Sequence, residues 1–528
     1  MNTFDWDFPY DSRRMPVMAR NVVATSQPLA AQAGLSMLYR GGNAVDAAIA
    51  AAVALTVVEP TGNGIGSDAF AIVWDGNRLH GINGSGRSPA AWTCERFAHL
   101  KEMPSLGWDS VTVPGAVSVW VELSAKFGKL PFEDLFEAAI GYARDGFPVT
   151  PIIAKAWESA SKTYGDFPDF AATFLPGGHP PGAGETFRCE SQAATLSEIA
   201  VTKGESFYRG RLADKIAKCS ADQGGTMTRE DLQAHHSDWV DPLSADYSGY
   251  RLHELPPNGQ GLAALMVLGI LRHFNLAEYP VDSADSVHLQ VEAMKLAFAD
   301  IERHLADPEH MTVDKEELLD ADYLASRASL IRMDRAAFPV SGIPLGGGTV
   351  YLAAADSDGM MVSFIQSNFR GFGSGIVVPG TGISLQNRAS GFSLEKGHPN
   401  QADGGKRPFH TIIPAFVTKQ GRPLMSFGVM GGHMQPQGHV QMMTRIFDYR
   451  QNPQAACDAP RWCITENMQL AVESGFSPEV LDELSGRGHL IVADSPRSLF
   501  GGAQLIYNPG DFYLAASDHR KDGLAAGF

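Results

Sequence analysis

Residues 346–349 read Gly-Gly-Gly-Thr, and a threonine set directly behind three glycines has two readings. In one, the glycines are a flexible turn feeding a strand that begins at a β-branched residue. In the other, the chain cuts itself between Gly348 and Thr349: the Thr349 hydroxyl attacks the preceding carbonyl, and the glycines permit the strained approach. The product is a threonine with a free α-amine, a group of ordinary pKa about 7.7–8.0 that can take the proton of its own hydroxyl at neutral pH. Nucleophile and base then share one residue, and the chemistry within reach is acyl transfer from an amide. The five cysteines, Cys94, Cys189, Cys219, Cys457 and Cys463, offer less. They are odd in number and lack a CxxC pair, so they read as reduced, buried thiols. The stretch around Cys457 and Cys463, CDAPRWC, holds no histidine partner, and no metal or organic cofactor is expected.

The elements that must hold such a threonine are strands. TVYLAAA (349–355) and MMVSFIQ (360–366) flank Asp356-Ser357-Asp358-Gly359, which predicts a hairpin. IIPAFVTKQGRPLMSFGV (412–429) and QLIYNPGDFYLAAS (504–517) repeat the strand–turn–strand pattern, so strands are expected to dominate from Thr349 onward. Upstream, a helix is expected from Pro28 to the stop at Gly41-Gly42-Asn43, then an Ala-rich helix from Ala44. AFAIVWDG (69–76) and LHGINGSG (79–86) predict a second hairpin. Between about Pro114 and Ala337 the three- and four-residue apolar spacing predicts mainly helices, with Pro- and Gly-rich loops at 176–185 and 255–261. Together these give an α+β protein of helices and stacked antiparallel sheet.

Composition bounds the partners. Of 528 residues 44% are apolar and 19% charged, as in a globular protein, and length alone suggests about three domains. Forty-two basic against 59 acidic side chains leave a formal charge of −17 with no basic cluster, which argues against nucleic acid and anionic membranes. The first thirty residues lack the apolar stretch of a secretory signal, and Ala44–Val58 contains Asp46 and is too short to span a bilayer. A cytoplasmic location is the expectation.

Several long segments resemble the γ-glutamyltransferase family of N-terminal-nucleophile hydrolases, in the same order and over nearly the whole chain. They are SQPLAAQAGLSMLYRGGNAVDAAIAAAVALTVVEPTGNGIGSDAF (26–70), SVTVPGAVSVWVE (110–122), ARDGFPVTP (143–151), LAFADIERHLADP (296–308), GGGTVYLAAADSDG (346–359), FGSGIVVPGTGISLQN (372–387) and ASDHRKDGLAAGF (516–528). The resemblance implies a four-layer αββα sandwich, one intertwined unit in place of three domains. It also implies self-cleavage into a large chain, 1–348, and a small chain, 349–528, which stay together as a heterodimer that can dimerise further. Thr349 matches the family's nucleophile, Ser367 a hydroxyl that hydrogen-bonds it, and Gly431-Gly432 the pair whose N–H groups form the oxyanion hole. Without the resemblance, Gly431-Gly432 reads as a tight turn and Ser367 as an ordinary strand serine.

The same resemblance shows where this chain departs. Ser85, in NGSGRSP, stands where the family has the arginine that grips the substrate α-carboxylate, and Arg87 lies two residues on. Gly391, in NRASGF, replaces the aspartate that takes the substrate amine, and Arg388 replaces a Gln or Glu. Phe369 replaces an asparagine, and His410-Thr411 a Ser-Ser pair. A pocket that loses its amine acceptor and gains a fixed positive charge suits a smaller anion without an α-amine, because Arg grips a carboxylate with two parallel bonds. Arg388 is the expected anchor, and Asn368, His410, Thr411, Phe369 and Arg87 are further candidates for the substrate site. A solvated or structurally paired Arg388 and a structural His410 are the plainer alternatives. NGSGR, IQSNF, LQNR and RPFHTIIPA resemble the amidohydrolase and acylase branch of the family, which implies hydrolysis of a small anionic amide, oxamate to oxalate and ammonia fitting best. The alternatives are a γ-glutamyl hydrolase or transferase, a β-lactam side-chain acylase, and an uncleaved, non-catalytic binding protein.

Overall fold

A computed structural model describes residues 13–338, 348–465, 467–493 and 495–528. Gly346 and Gly347 of the glycine run fall outside the described residues. Two seven-stranded sheets face each other. The first runs, in spatial order, Leu524–Gly527, Val22–Thr25, Gly348–Ala355, Met361–Phe369, Asp68–Trp74, Leu79–Asn83 and Asp238–Val240. The second runs Val17–Ala19, Tyr513–Ser517, Gly502–Tyr507, Arg422–Met430, Ala415–Lys419, Tyr250–Glu254 and Leu243–Tyr247. Both contain segments from either side of Gly348–Thr349, so a cut there leaves two interleaved chains.

Three cores make the four layers. Along Gly348–Ala355 the pleat turns Val350, Leu352 and Ala354 to the outer helices and Tyr351, Ala353 and Ala355 to the opposite sheet. The outer core on this side is built on the Ala-rich helix Ala44–Val58, every residue of which is buried. Its small side chains let it lie close to the sheet and to Pro28–Tyr39. Asn43 starts it with a capping box to Asp46, just after Gly41 (φ +87°) has closed the preceding helix. The other outer core packs Gly261–Leu271, Ala284–His304 and Met434–Phe447 on the second sheet.

Both predicted hairpins form, with Phe70 opposite Asn83 and Tyr351 opposite Ile365. Two expectations hold in the main, each with an exception. The mainly helical stretch 114–337 contains three consecutive strands between Asp238 and Glu254, short segments whose half-exposed alternation is masked by Asp, His and Arg. The strand-dominated part after Thr349 contains the helix Met434–Phe447, whose almost complete burial removes the polar face that gives a helix its visible period.

Candidate active site

Thr349 stands at the head of an inner strand and is 3% exposed. The strand pairing shifts there: Gly348 faces Phe369 and Val350 faces Gln366, so Thr349 opposes both Ser367 and Asn368 in a bulge, a device that re-aims a side chain. Ser367 Oγ donates to the Gly348 carbonyl at 2.5 Å, accepts from Thr349 Oγ1 at 3.2 Å, and accepts the Phe369 N–H at 2.8 Å. Only glycine fits at 348, because a Cβ would lie 2.6 Å from Gly371 N. From the other side the loop after Val58 closes on Thr349: a Cβ on Gly62 would come 3.3 Å from Thr349 N. Asn63 ties that loop down, its Nδ2 donating to Leu55 and Glu59 carbonyls and its Oδ1 accepting from Gln366.

Phe369 takes φ +76°, a conformation that costs a bulky residue, and its ring lies under the Arg388 guanidinium, Cζ to ring centroid 4.7 Å. Arg388 is 1% exposed. Its Nη1 donates to Thr411 Oγ1 at 2.6 Å, while Nε and Nη2, the parallel edge that grips a carboxylate, have no partner among the described residues. Burial brings Arg388 down to about 9, and Asp68 opposes the shift by holding the charge on. Asp68 is itself wholly buried and pushed up to about 7 by desolvation, with Arg388 and the Gly115 and Gly86 N–H groups pulling the other way. Arg388 is therefore a buried cation whose charge Asp68 helps to hold, with a two-pronged edge that no described residue engages.

The other sequence-predicted residues sort by their contacts. Thr411 holds the back of Arg388. Asn368 is engaged on both sides of its amide, Oδ1 accepting from Ser67 Oγ at 2.8 Å and Nδ2 donating to Ser384 Oγ at 3.3 Å, so it braces the strand end. His410 turns to Asp68, Nε2 to Oδ2 3.1 Å, with both side chains wholly buried. Burial, with Arg388 and Arg407 nearby, lowers its pKa well below the usual value, so the ring is neutral and donates from Nε2. Arg87 is corrected outright: its guanidinium pairs with Asp307 at 3.0 Å and the Gly405 carbonyl at 2.9 Å, and it lines a separate small cavity with His235 and Arg407. Ser85 is occupied too, taking a hydrogen bond from Asn258 Nδ2.

Gly431 (φ +118°) and Gly432 (φ +62°) join the strand Arg422–Met430 to the helix Met434–Phe447, more than the simple turn their sequence suggests. Two successive positive φ values require glycine, and a helix N-terminus favours developing negative charge. Gln260 fixes the pair in place: its Nε2 donates to the Gly432 carbonyl at 2.9 Å and the Thr411 carbonyl at 2.6 Å, and its Oε1 faces His433 Nδ1 at 3.2 Å. Contacts thus run unbroken from Gly348 and Thr349 through Ser367, Phe369, Arg388, Thr411 and Gln260 to Gly432. A cleft of about 1260 Å³ opens beside them, lined by Phe369, Gly391, Phe409, Gln260, His433 and Phe338 among others. An aspartate at 391 has no room in this arrangement, since a Cβ there would lie 2.7 Å from the Phe409 carbonyl oxygen.

Asp68, Gln260 and His433 were not singled out from the sequence. Asp68 and Gln260 do sit in Gly-rich runs, GNGIGSD and PPNGQG, where backbone approaches closely, and that is the signal they offer. Among the described residues one set of side chains comes close enough to share an ion: His288, Glu292 and His489, with ligand atoms within 4.8 Å of one another. None of the three joins the contacts around Thr349, and the Lys295 ammonium already bonds two of them.

Residues 30–528 match the family profile described as Gamma-glutamyltranspeptidase. The glutathione hydrolase-like YwrD proenzyme of Bacillus subtilis is 36% identical, over 97% of this chain and 100% of that one. The oxamate amidohydrolase proenzyme of Klebsiella pneumoniae is also 36% identical, over 97% and 99%. Among solved structures, cephalosporin acylase from Bacillus halodurans superposes with a TM-score of 0.95 at 48% identity, covering 100% of this chain and 99% of that one.

Proposed function

This chain belongs to the gamma-glutamyltranspeptidase family and is a hydrolase of amide bonds, and we propose that it is made as a precursor, cuts itself at Gly348–Thr349, and then hydrolyses amides whose acyl group carries a carboxylate. The observation that carries this reading is the unfilled Nε–Nη2 edge of Arg388, buried in the contact network that begins at Thr349. In the processed enzyme the Thr349 Oγ1 attacks the amide carbonyl while its α-amine takes the hydroxyl proton. The Gly431 and Gly432 N–H groups face the oxyanion, a contribution of ~3 kcal/mol per donor at such sites. The tetrahedral intermediate collapses to an acyl ester on Thr349, the α-ammonium returns the proton to the leaving amine, and water cleaves the ester by the same base. Oxamate, whose carboxylate adjoins its amide, is the smallest substrate of this class. The likeness to oxamate amidohydrolase supports it.

A specific observation favours a second reading, an acylase that releases a bulky amine: the cleft beside Phe369 holds about 1260 Å³, far more than ammonia needs, and the likeness to cephalosporin acylase points the same way. Parallel assays of ammonia release from oxamate, amine release from a carboxyacyl amide of a bulky amine, and anilide release from a γ-glutamyl anilide separate the readings. Preference for the γ-glutamyl anilide would overturn the carboxyacyl assignment. An intact mass of one unbroken 56.7 kDa chain would overturn self-cleavage.

A further inference from the structure

In the outer layer over the second sheet, the helix Ala284–His304 turns His288, Glu292 and Lys295 to one face, with exposures of 0%, 2% and 1%. His489 meets them from a loop. The ammonium of Lys295 has three acceptors: Glu292 Oε1 at 2.9 Å, His489 Nδ1 at 3.5 Å and the carbonyl oxygen of Ala337 at 3.0 Å. Glu292 Oε2 accepts the N–H of the same Ala337 at 2.8 Å. His489 and His288 are joined at 2.7 Å, and His288 Nε2 reaches the Arg332 carbonyl at 2.9 Å. The Ala336 N–H donates to the Arg487 carbonyl at 2.7 Å, and the Phe338 ring lies 4.9 Å from the Lys295 ammonium.

Each polar group of this cluster is matched, so the set is not shaped to receive a metal; what it receives is backbone. Both peptide groups of Ala337 are read by opposite charges, the N–H by a carboxylate and the carbonyl by an ammonium, and such charge-assisted bonds are the strong kind. A buried Lys–Glu pair is an inefficient way to stabilise a core, where apolar side chains serve as well or better. Apart from Met333, which packs against the outer core, the stretch it holds has little apolar reason to stay: Arg332, Asp334 and Arg335 are exposed, and Phe338 is 51% exposed. Nine residues, 339–347, separate the end of that stretch from Gly348.

We propose that Glu292, Lys295 and His489 form a docking clamp for residues 332–338 that positions the precursor for the cut at Gly348–Thr349. It sets the rate of self-cleavage and leaves catalysis by the processed enzyme alone. The inference rests on the self-cleavage reading. Anchoring at Ala337 puts the last held backbone 11 residues before Gly348, where the end of the helix Ala321–Ala328 would put it 20 before, and a shorter tether restricts more tightly the geometries in which the Gly348 carbonyl meets the Thr349 hydroxyl.

The test follows maturation of the full chain by intact mass. Lys295→Met and Glu292→Gln alter the clamp, and Ala337→Pro removes the segment's N–H from an exposed position without touching the core. Each is expected to slow cleavage at least twofold while kcat/KM of the processed fraction stays at the wild-type value, and Ala337→Gly, which keeps both peptide groups, matures normally. A wild type that matures alongside an Ala337→Pro variant cutting within twofold of its rate overturns the clamp alone. A wild type that never matures overturns the self-cleavage reading and the clamp with it. Slower maturation of the wild type in a metal chelator would replace the clamp with a metal site.

Discussion

Ser367 donates its hydroxyl to the carbonyl of Gly348 over 2.5 Å, and the same oxygen is 3.2 Å from the Thr349 hydroxyl. One side chain thus touches both the bond proposed to be cut and the hydroxyl proposed to cut it. On the proposed self-cleavage, it would polarise the carbonyl that Thr349 attacks in the whole chain and, once Gly348 is a free carboxylate, would remain to orient the Thr349 hydroxyl. Ser367→Ala should therefore slow maturation by on the order of 10²-fold, the effect of losing one preorganised donor, and slow the processed enzyme less. Time-resolved intact mass and steady-state rates per processed molecule distinguish the two effects, and equal losses would show that Ser367 has one role only.

Gly348→Ala tests whether the register at the cut is set by backbone approach. A methyl group at 348 would sit 2.6 Å from Gly371 N, so the two strands must part where Ser367 meets the carbonyl. The chain is expected to fold, since the change lies at a strand end, but to accumulate as precursor. Wild-type maturation in Gly348→Ala would show that the strands give way easily.

Arg388 is expected to select carboxylate-bearing acyl groups through geometry as well as charge. Arg388→Lys keeps a cation but loses the parallel Nε–Nη2 edge, and hydrogen bonds to a charged partner are worth about 1.5–3 kcal/mol, so kcat/KM for oxamate or a carboxyacyl amide should fall about 10- to 100-fold. Amides of uncharged acyl groups should be affected far less. An equal loss on both substrate types would place Arg388 in the scaffold.

The layers and the candidate nucleophile were more legible in the sequence than the pocket. Gly348–Ala355 and Met361–Phe369 are legible because they are short β-forming runs on either side of one Asp-Gly turn, and Ala44–Val58 because its caps are local. Thr349 becomes convincing as a nucleophile only through resemblance; its partner Ser367 lies across a bulge that no local pattern announces. Arg388 was legible as a change of charge, yet its company was not: Asp68, Gln260 and Thr411 come from three distant parts of the chain and meet only through the tertiary fold. Arg87 shows the opposite case, a residue close in sequence to the right place whose side chain is taken up by Asp307.

Asp68 links the pocket to pH. An unfolded aspartate titrates near 3.9, whereas burial raises Asp68 to about 7, so between these values the folded protein holds a proton that the unfolded chain has lost. Its contribution to stability is full below about pH 4 and fades as pH rises through about 7. For binding, the ionised Asp68 offsets the Arg388 charge, so KM for a carboxylate substrate should rise as pH passes about 7, by on the order of tenfold for charges coupled through a protein interior. Asp68→Asn keeps the shape and cannot ionise. It should flatten the KM profile and leave the kcat profile, governed by the Thr349 amine, in place. A KM inflection that survives unchanged in Asp68→Asn would assign the titration to another group and free Asp68 from any part in anion binding.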